Sequence, residues 1–261
     1  MSISLIIVLL LSLIFPLYIL WHINRKYSSL GSMREYVAPV IIGMAIEGIC
    51  IIIEKCLFDT YIINGFPETI YDCFFVSFFR NAFVEEAFKL IGLYLLIWLY
   101  KNKPINKILL YAIGVAIGFS MVENVGNIYL SSAAGANVVA FSLGRIVSTF
   151  VHLALSVFLA FFVTKFLNTS RLKGFVFAFL IAFLIHGAHD FIVSMQYYLH
   201  WGITIIAPCI LLFDILLFLL GYKLFRCTIM NYKIVAEKED ANFVNAHTNS
   251  EPKEIEGGAL I

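Results

Sequence analysis

Glu85 and Glu86, with Lys89 one helical turn further on, lie in the middle of the apolar stretch 74–100. A charged side chain at the centre of a membrane helix costs roughly 2.5–3.5 kcal/mol on insertion scales, so such residues usually face a protein interior and mark a functional site. On a helix Lys89 falls between the two glutamates and can neutralise one of them. The other carboxylate then serves as a base or a metal ligand. The alternative is a buried ion-pair cluster that only holds helices together.

Two of the following apolar stretches carry further polar groups. Glu123 shares a helix face with Asn127, whereas Asn124 points about 100° away, toward a neighbouring helix. Arg145 and His152 lie on one polar stripe of the next stretch. A single histidine in such a place forms either a hydrogen bond between helices or a metal ligand.

The last polar group of this kind contains His186 and Asp190, which are four residues apart and share a helix face. This arrangement suits an imidazole ligand held by a carboxylate, or two ligands of one ion. His189 is rotated by about 60° from His186. It is either a third participant or a bystander, and we expect a bystander.

Depth in the membrane connects these groups. Counted from the ends of the stretches, Glu86, His152, Glu123 and Asp190 all fall between the midplane and the outer leaflet. Carboxylates and imidazoles at one level are the ligand set expected for zinc or a similar divalent metal, with one carboxylate left as a general base for water. The sequence therefore predicts metal or proton chemistry inside the membrane.

The composition requires that membrane helices position these residues. Of the 261 residues, 61% are hydrophobic and only 13% are charged, and the mean hydropathy of +0.92 is too high for a soluble domain. A net charge of +1 without a basic face argues against nucleic acid as a partner. The predicted fold class is an all-α, polytopic transmembrane bundle of about seven spans: 3–22, 37–58, 74–100, 108–130, 139–166, 174–199 and 203–225.

Lysine and arginine alternate between the two sides of this bundle. Fourteen of the 18 basic residues lie in the first, third and fifth connections and in the C-terminal tail. Because cytoplasmic connections collect such residues, we predict that the N-terminus is outside and the C-terminus is cytoplasmic. The first span has no basic residue before it and no cleavage site after it, so we expect it to be retained.

The chain is predicted to form one transmembrane domain over 1–226, with the motif-bearing core at 74–199. A polar, flexible cytoplasmic tail is expected at 227–261. Cys56 and Cys73 flank the same outer connection, where they form either a disulfide or two free thiols.

Four segments of the chain resemble the PrsW family of intramembrane proteases, within the wider group that includes the CAAX prenyl-protein endopeptidases. They are Phe-Val-Glu-Glu-Ala-Phe-Lys at 83–89, Gly-Phe-Ser-Met-Val-Glu-Asn at 118–124, the pair Arg145 and His152, and His-Gly-Ala-His-Asp at 186–190. The segments come in the order found in the family. The resemblance covers about 74–199 and implies an integral protein of the bacterial cell membrane.

The resemblance also implies roles for the residues of the four segments. The two glutamates would be essential, one of them activating the attacking water, and His152 and His186 would bind a metal or position that water. Glu123 and Asp190 would complete the site, Asp190 as a ligand, an orienting group or an oxyanion donor. Family members resemble site-one proteases that cut single-span anti-sigma factors near the outer face.

The function predicted from the sequence is peptide-bond hydrolysis in a membrane-spanning protein substrate, with a divalent metal, zinc by its ligand set, and a glutamate-activated water. Lys89 would tune the glutamate pair, and Arg145 would stabilise the oxyanion. The main alternative is a proton- or ion-coupled transporter that uses the same buried carboxylates and histidines. A third interpretation is a catalytically inactive relative that binds membrane partners. The sequence leaves the oligomeric state open.

Overall fold

The chain folds as a bundle of helices in the computed structural model, which describes residues 2–58, 69–100, 107–133, 138–166, 169–198 and 203–248. Within these ranges all regular structure is helical and there is no strand. This finding confirms the predicted all-α fold class.

The helices follow the apolar stretches of the sequence. They are α1 (Ile3–Lys26), α2 (Val37–Phe58), α3 (Ile70–Phe74), α4 (Val84–Leu99), α5 (Lys107–Ala133), α6 (Val138–Phe166), α7 (Arg171–Tyr198) and α8 (Ile203–Thr248). Two short 3₁₀ turns, Ser28–Leu30 and Met33–Tyr36, connect α1 to α2. A π-helical segment, Phe75–Phe83, connects α3 to α4.

Six helical segments among the described residues are long and apolar enough to cross a membrane. They are Ile3–Lys26, Met33–Cys56, Lys107–Ala133, Gly144–Phe166, Arg171–Met195 and Ala207–Met230. The protein is therefore an integral membrane protein, and six of the seven predicted spans are confirmed. The third predicted span, 74–100, differs from the others because its longest α-helix, Val84–Leu99, has only 16 residues. The orientation of the termini stays a prediction.

The helical run that contains Glu85 and Glu86 begins at a capping box. The Thr69 hydroxyl accepts a hydrogen bond from the Asp72 backbone N–H at 3.1 Å, and the Asp72 carboxylate accepts one from the Thr69 backbone N–H at 2.8 Å. These bonds satisfy backbone donors that a helix start leaves without partners. The run then continues through α3, the π segment and α4 to Leu99.

Helix α5 is the core of the bundle. Residues 108–121 are all buried, and α5 packs against α1, α2, α4 and α6. Glycines set its distance from α2, because a Cβ at Gly118 would overlap the carbonyl oxygen of Val40 and one at Gly114 would overlap Pro39. The two glycines therefore allow α5 and α2 to approach closely.

The π segment Phe75–Phe83 interrupts the α-helical geometry of the run 70–99. Such segments are rare and occur frequently at functional sites. Two of its polar residues contact α7: Ser77 Oγ lies 3.0 Å from Ser194 Oγ, and the Asn81 amide donates to Asp190 Oδ2 at 3.2 Å. The π segment therefore connects the glutamate-bearing helix to the helix that carries His186.

Helix α8 continues past the predicted end of the membrane domain at residue 226 and ends at Thr248. Helix therefore occupies the first part of the predicted tail, whereas residues 249–261 lie outside the described ranges. The division into a membrane domain and a tail stays a prediction. Cys56 and Cys73 are free thiols and do not form a disulfide.

Candidate active site

Helix α4 presents three charged side chains to the interior of the bundle. Lys89 Nζ lies 2.8 Å from Glu86 Oε1 and 3.3 Å from Glu85 Oε2. All three residues are buried. The sequence predicted that Lys89 neutralises one of the glutamates, whereas it contacts both, and these contacts offset the repulsion between two neighbouring carboxylates.

The Lys89 ammonium also joins α4 to α5 and α6. Its Nζ lies 2.9 Å from His152 Nδ1 and 4.0 Å from the centre of the Phe119 ring. Because an ammonium group has no acceptor, His152 Nδ1 accepts this hydrogen bond. His152 Nε2–H then donates to Glu123 Oε2 at 2.8 Å. The neighbours of the ring therefore fix its tautomer, with the Nδ1 lone pair directed at the Lys89 ammonium that contacts both glutamates.

His186, on α7, approaches the glutamates from the other side. Its Nδ1–H donates to Glu86 Oε1 at 2.8 Å, and its Nε2 lies 3.9 Å from Glu85 Oε2 and 3.6 Å from Asp190 Oδ2. The rings of His152 and His186 are 5.4 Å apart and nearly perpendicular. Residues from α4, α6 and α7 thus converge on one point.

Glu85, Glu86, His152 and His186 form a group that could hold a metal ion; we call it the catalytic cluster, after the role that we propose for it below. Each residue offers one ligand atom, and the four atoms lie within 4.8 Å of one another. Glu86 Oε2 is buried and has no hydrogen-bond partner among the described residues. A buried acceptor without a partner is unusual, and two carboxylates with two imidazoles suit zinc. The donor set therefore fits a divalent metal.

The residues predicted as metal ligands fall into two layers. The two histidines belong to the catalytic cluster, whereas Glu123 and Asp190 each lie behind one of them. The two carboxylates of the cluster are Glu85 and Glu86, which were predicted to be catalytic, and not Glu123 and Asp190. A histidine that binds a metal usually has its other nitrogen bonded to such an outer partner.

Arg145 lies behind Glu123. Its NH2 group pairs with Glu123 Oε1, and its Nε donates to Asn124 Oδ1 at 3.0 Å. The Asn124 amide in turn donates to Thr149 Oγ1 at 3.0 Å. The prediction that Asn124 bonds a neighbouring helix is confirmed. This network holds α5 and α6 together on the far side of His152 from the glutamates.

His189 is not the bystander that the sequence favoured. Its Nδ1 lies 3.0 Å from Asp190 Oδ1 and its Nε2 lies 3.2 Å from Asp214 Oδ1. His189 therefore bridges a carboxylate beside the catalytic cluster to a carboxylate on α8. Asp214 was not among the predicted site residues, because no spacing within one helix reveals a partner on the next.

The catalytic cluster is closed on one side and more open on the other. The side chains of Glu86 and Lys89 are 0% and 1% exposed, whereas those of Glu123 and Asp190 are 14% and 20% exposed. Accessibility therefore increases toward the ends of α5 and α7 at which Glu123 and Asp190 lie. By the distribution of basic residues, these helix ends are predicted to face outside.

Comparison with known proteins agrees with this geometry. The chain matches the family described as PrsW family intramembrane metalloprotease over residues 32–220, a range that contains all the residues named in this subsection. A relative named Protease PrsW, from Clostridioides difficile (strain 630), is 28% identical over 174 residues, which cover 64% of this chain and 69% of the relative. No solved structure matches the chain. The chain belongs to the PrsW family of intramembrane metalloproteases, and it is a membrane-embedded protease.

Proposed function

We propose that this protein is a metal-dependent intramembrane endopeptidase that hydrolyses a peptide bond of a membrane-spanning protein. The observation that carries the proposal is the catalytic cluster, in which two carboxylates and two imidazoles from three helices lie within 4.8 Å. Zinc is the ion that this donor set favours. A zinc ion held there would supply a Lewis acid that polarises the scissile carbonyl and acidifies a water molecule.

His152, His186 and Glu86 are the residues that would hold the metal. His152 keeps Nδ1 without a proton because Glu123 accepts its Nε2 proton at 2.8 Å, so Nδ1 would bind a metal in place of the Lys89 ammonium. Glu86 keeps Oε2 without a partner among the described residues. Its other oxygen is fixed by two donors, Lys89 and His186, each at 2.8 Å. Such restraint is what a metal ligand needs in order to stay in position.

Glu85 is the residue that we assign as general base. Among the described residues, the short polar contact of its carboxylate is with Lys89 at 3.3 Å, and its exposure of 6% is greater than the 0% of Glu86. A base must reach the proton of the attacking water and must not be fully engaged elsewhere. Glu85 would take that proton and pass it to the leaving amine.

Lys89 supports both glutamates. Its ammonium contacts each carboxylate and rests on the face of Phe119. A fixed positive charge beside two carboxylates limits their mutual repulsion in a site from which water is excluded. Lys89 thus acts on the glutamates as a positioning residue.

Glu123, Arg145 and Asp190 act as positioning residues as well. Arg145 holds Glu123, which orients His152, and Asp190 lies 3.6 Å from Nε2 of His186. The ion pair with Glu123 occupies the Arg145 guanidinium, so we assign it this anchoring role in place of the oxyanion contact predicted from the sequence. The buried surroundings exclude bulk water and strengthen each of these interactions.

The more accessible side of the catalytic cluster indicates the side of the membrane from which a substrate would approach. Glu123 and Asp190 are the most accessible acidic residues of the site. The substrate would therefore approach from the side predicted to be outside, as a single-span protein cut near the outer face. Family resemblance favours an anti-sigma-factor-like substrate in a bacterial cell membrane.

Profiling of protein N-termini tests this proposal. Membranes from cells that express the wild-type chain are compared with membranes from cells that express Glu85→Gln or His186→Ala at equal levels. We expect new termini near membrane spans with the wild-type chain alone. Identical profiles, with all three proteins inserted and a known substrate present, would contradict proteolysis by this cluster.

The transporter alternative receives less support. Its charged groups would follow a path through the bilayer, whereas Glu85, Glu86, His152 and His186 gather at one point. Membership in a protease family points the same way. Ion flux in proteoliposomes that Glu86→Gln abolishes, without any loss of proteolysis, would restore that alternative.

A further inference from the structure

A cavity of about 260 Å³ lies between α1, α5, α6 and α8. No residue of the catalytic cluster lines it. Its wall is almost entirely apolar, with Ile113 of α5, Leu153 and Val157 of α6, and Phe218 of α8 among the lining residues. None of the described residues that line the cavity is acidic. The cavity is therefore a site for an apolar group that the proposed proteolysis does not use.

Basic side chains lie at one end of this cavity. Lys26, in the last turn of α1, is one of the lining residues. Tyr222 of α8 also lines the cavity, and Arg226 follows it one helical turn later on the same helix. Both cations lie at the side of the membrane that the distribution of basic residues predicts to be cytoplasmic. An anionic group at this end would meet two positive charges.

The apolar wall and the basic end of the cavity suit an amphiphile that has a hydrocarbon chain and an anionic head. A hydrocarbon chain is narrow enough to enter. We propose that the cavity binds one acyl chain of an anionic phospholipid, with the lipid phosphate contacting Lys26 and Arg226. Basic pockets between membrane helices bind lipid headgroups in this way.

The bound lipid would support the catalytic helix α6 from behind. Leu153 lines the cavity, whereas its neighbour His152 faces the glutamates. A filled cavity leaves α6 packed on both sides, and packed interiors transmit displacements. The lipid composition of the membrane would therefore affect the position of His152 through the lipid bound in the cavity.

Native mass spectrometry of the full-length protein tests the proposal. The protein is reconstituted with equal amounts of phosphatidylglycerol and phosphatidylcholine, and the lipid that it retains after extraction is identified. We expect phosphatidylglycerol to be retained in preference. Lys26→Gln and Arg226→Gln should each lower its retention about fivefold. This factor corresponds to the roughly 1 kcal/mol that one basic residue contributes to binding an anionic lipid surface.

Lys223→Gln is the matched control for Lys26→Gln, because it removes an equal charge at the same side of the membrane from a residue that does not line the cavity. Val157→Phe fills the cavity without changing any charge, so it should lower the retention of phosphatidylglycerol as the charge variants do. Soluble glycerol phosphate should not displace the lipid.

Three results would overturn the proposal. They are equal retention of the two lipids by the wild-type protein, equal effects of Lys223→Gln and Lys26→Gln, and full displacement by glycerol phosphate. Unchanged retention in a folded Val157→Phe variant would likewise exclude an acyl chain in this cavity. The elution volume of each variant in size-exclusion chromatography establishes that it is folded.

Discussion

His152 donates its Nε2 proton to Glu123 Oε2 across 2.8 Å, and its Nδ1 accepts from the Lys89 ammonium across 2.9 Å. One imidazole therefore connects the outer layer of the site to its centre. The carboxylate decides which nitrogen carries the proton, and in doing so it leaves the Nδ1 lone pair for the Lys89 ammonium, which contacts Glu85 and Glu86. This arrangement is the one by which outer residues tune metal ligands in proteins.

Replacement of Glu123 tests this orienting role. Glu123→Ala is expected to weaken zinc affinity about 10–100-fold, because an imidazole without its outer partner is free to rotate. Glu123→Gln keeps an acceptor oxygen and should lose less. Competition with a chelating dye measures both. Glu35→Ala, which breaks a pair with Lys107 outside the site, is the control, and equal zinc affinity in Glu123→Ala and Glu35→Ala would contradict the role.

Replacement of Lys89 should reveal whether a metal and the ammonium neutralise the same carboxylates. Lys89→Met leaves two buried carboxylates without their cation and should lower the free energy of unfolding by about 3–5 kcal/mol. Saturating zinc should restore part of that loss, since a ligand that binds only the native state stabilises it. Denaturant unfolding in detergent, with and without zinc, measures both effects.

Lys107→Met is the control for Lys89, because it removes a more exposed ion pair with Glu35. It should lower the free energy of unfolding by at most about 1 kcal/mol, with no added response to zinc. If zinc stabilises Lys89→Met no more than it stabilises Lys107→Met, zinc and the Lys89 ammonium do not neutralise the same carboxylates.

Helix geometry made part of this site predictable. The spacing of Glu85, Glu86 and Lys89 fixes their angles on one helix, and the structure has the ion pairs that those angles imply. The apolar stretches likewise predict six of the membrane spans. Such features depend on residues within one element, so a single sequence contains them.

The contacts between helices were not predictable in the same way. Equal depth placed Glu123 and His152 at one level, but the rotation of α5 against α6 decides that Glu123 lies behind the imidazole. The π segment at Phe75–Phe83 has no local sequence signal of its own. The bridge from His189 to Asp214 depends on how α7 packs against α8. Ångström-level packing, which a single sequence does not specify, determines these three features.

The bridge through His189 predicts a catalytic effect for a residue of α8. Asp214→Ala removes the partner of His189 Nε2, so Asp190 is held less firmly beside His186. We expect kcat to fall about tenfold with KM unchanged, as for the loss of an outer partner of a metal ligand. Asp214→Asn keeps an acceptor and should retain most of the activity.

Thr228→Ala is the control for Asp214, because the Thr228 hydroxyl bonds the Leu224 carbonyl within α8. Cleavage of a membrane-spanning substrate in proteoliposomes gives kcat and KM for each variant. A rise in KM at constant kcat would show that Asp214 serves substrate binding and not the position of His186.

Gly187, inside the segment His-Gly-Ala-His-Asp, is predicted to be needed for packing. A Cβ at this position would overlap the Phe78 ring of the π segment. Gly187→Ala should therefore lower the free energy of unfolding by about 1–3 kcal/mol, the usual effect of overpacking. Gly48→Ala, where a Cβ meets nothing within 4 Å, is the control. Equal unfolding free energies in the two variants would mean that Phe78 does not pack against Gly187.

The measurement that tests the central claim most directly combines metal content and turnover in the purified protein. Wild type, Glu86→Gln and Glu85→Gln are loaded with zinc, dialysed, and assayed for bound metal and for cleavage of a membrane-spanning substrate. If Glu86 holds the metal and Glu85 is the base, Glu86→Gln loses both metal and activity, whereas Glu85→Gln keeps the metal and loses activity. Chelation should abolish cleavage by the wild type, and added zinc should restore it. Full cleavage by a wild-type protein free of metal would contradict the account.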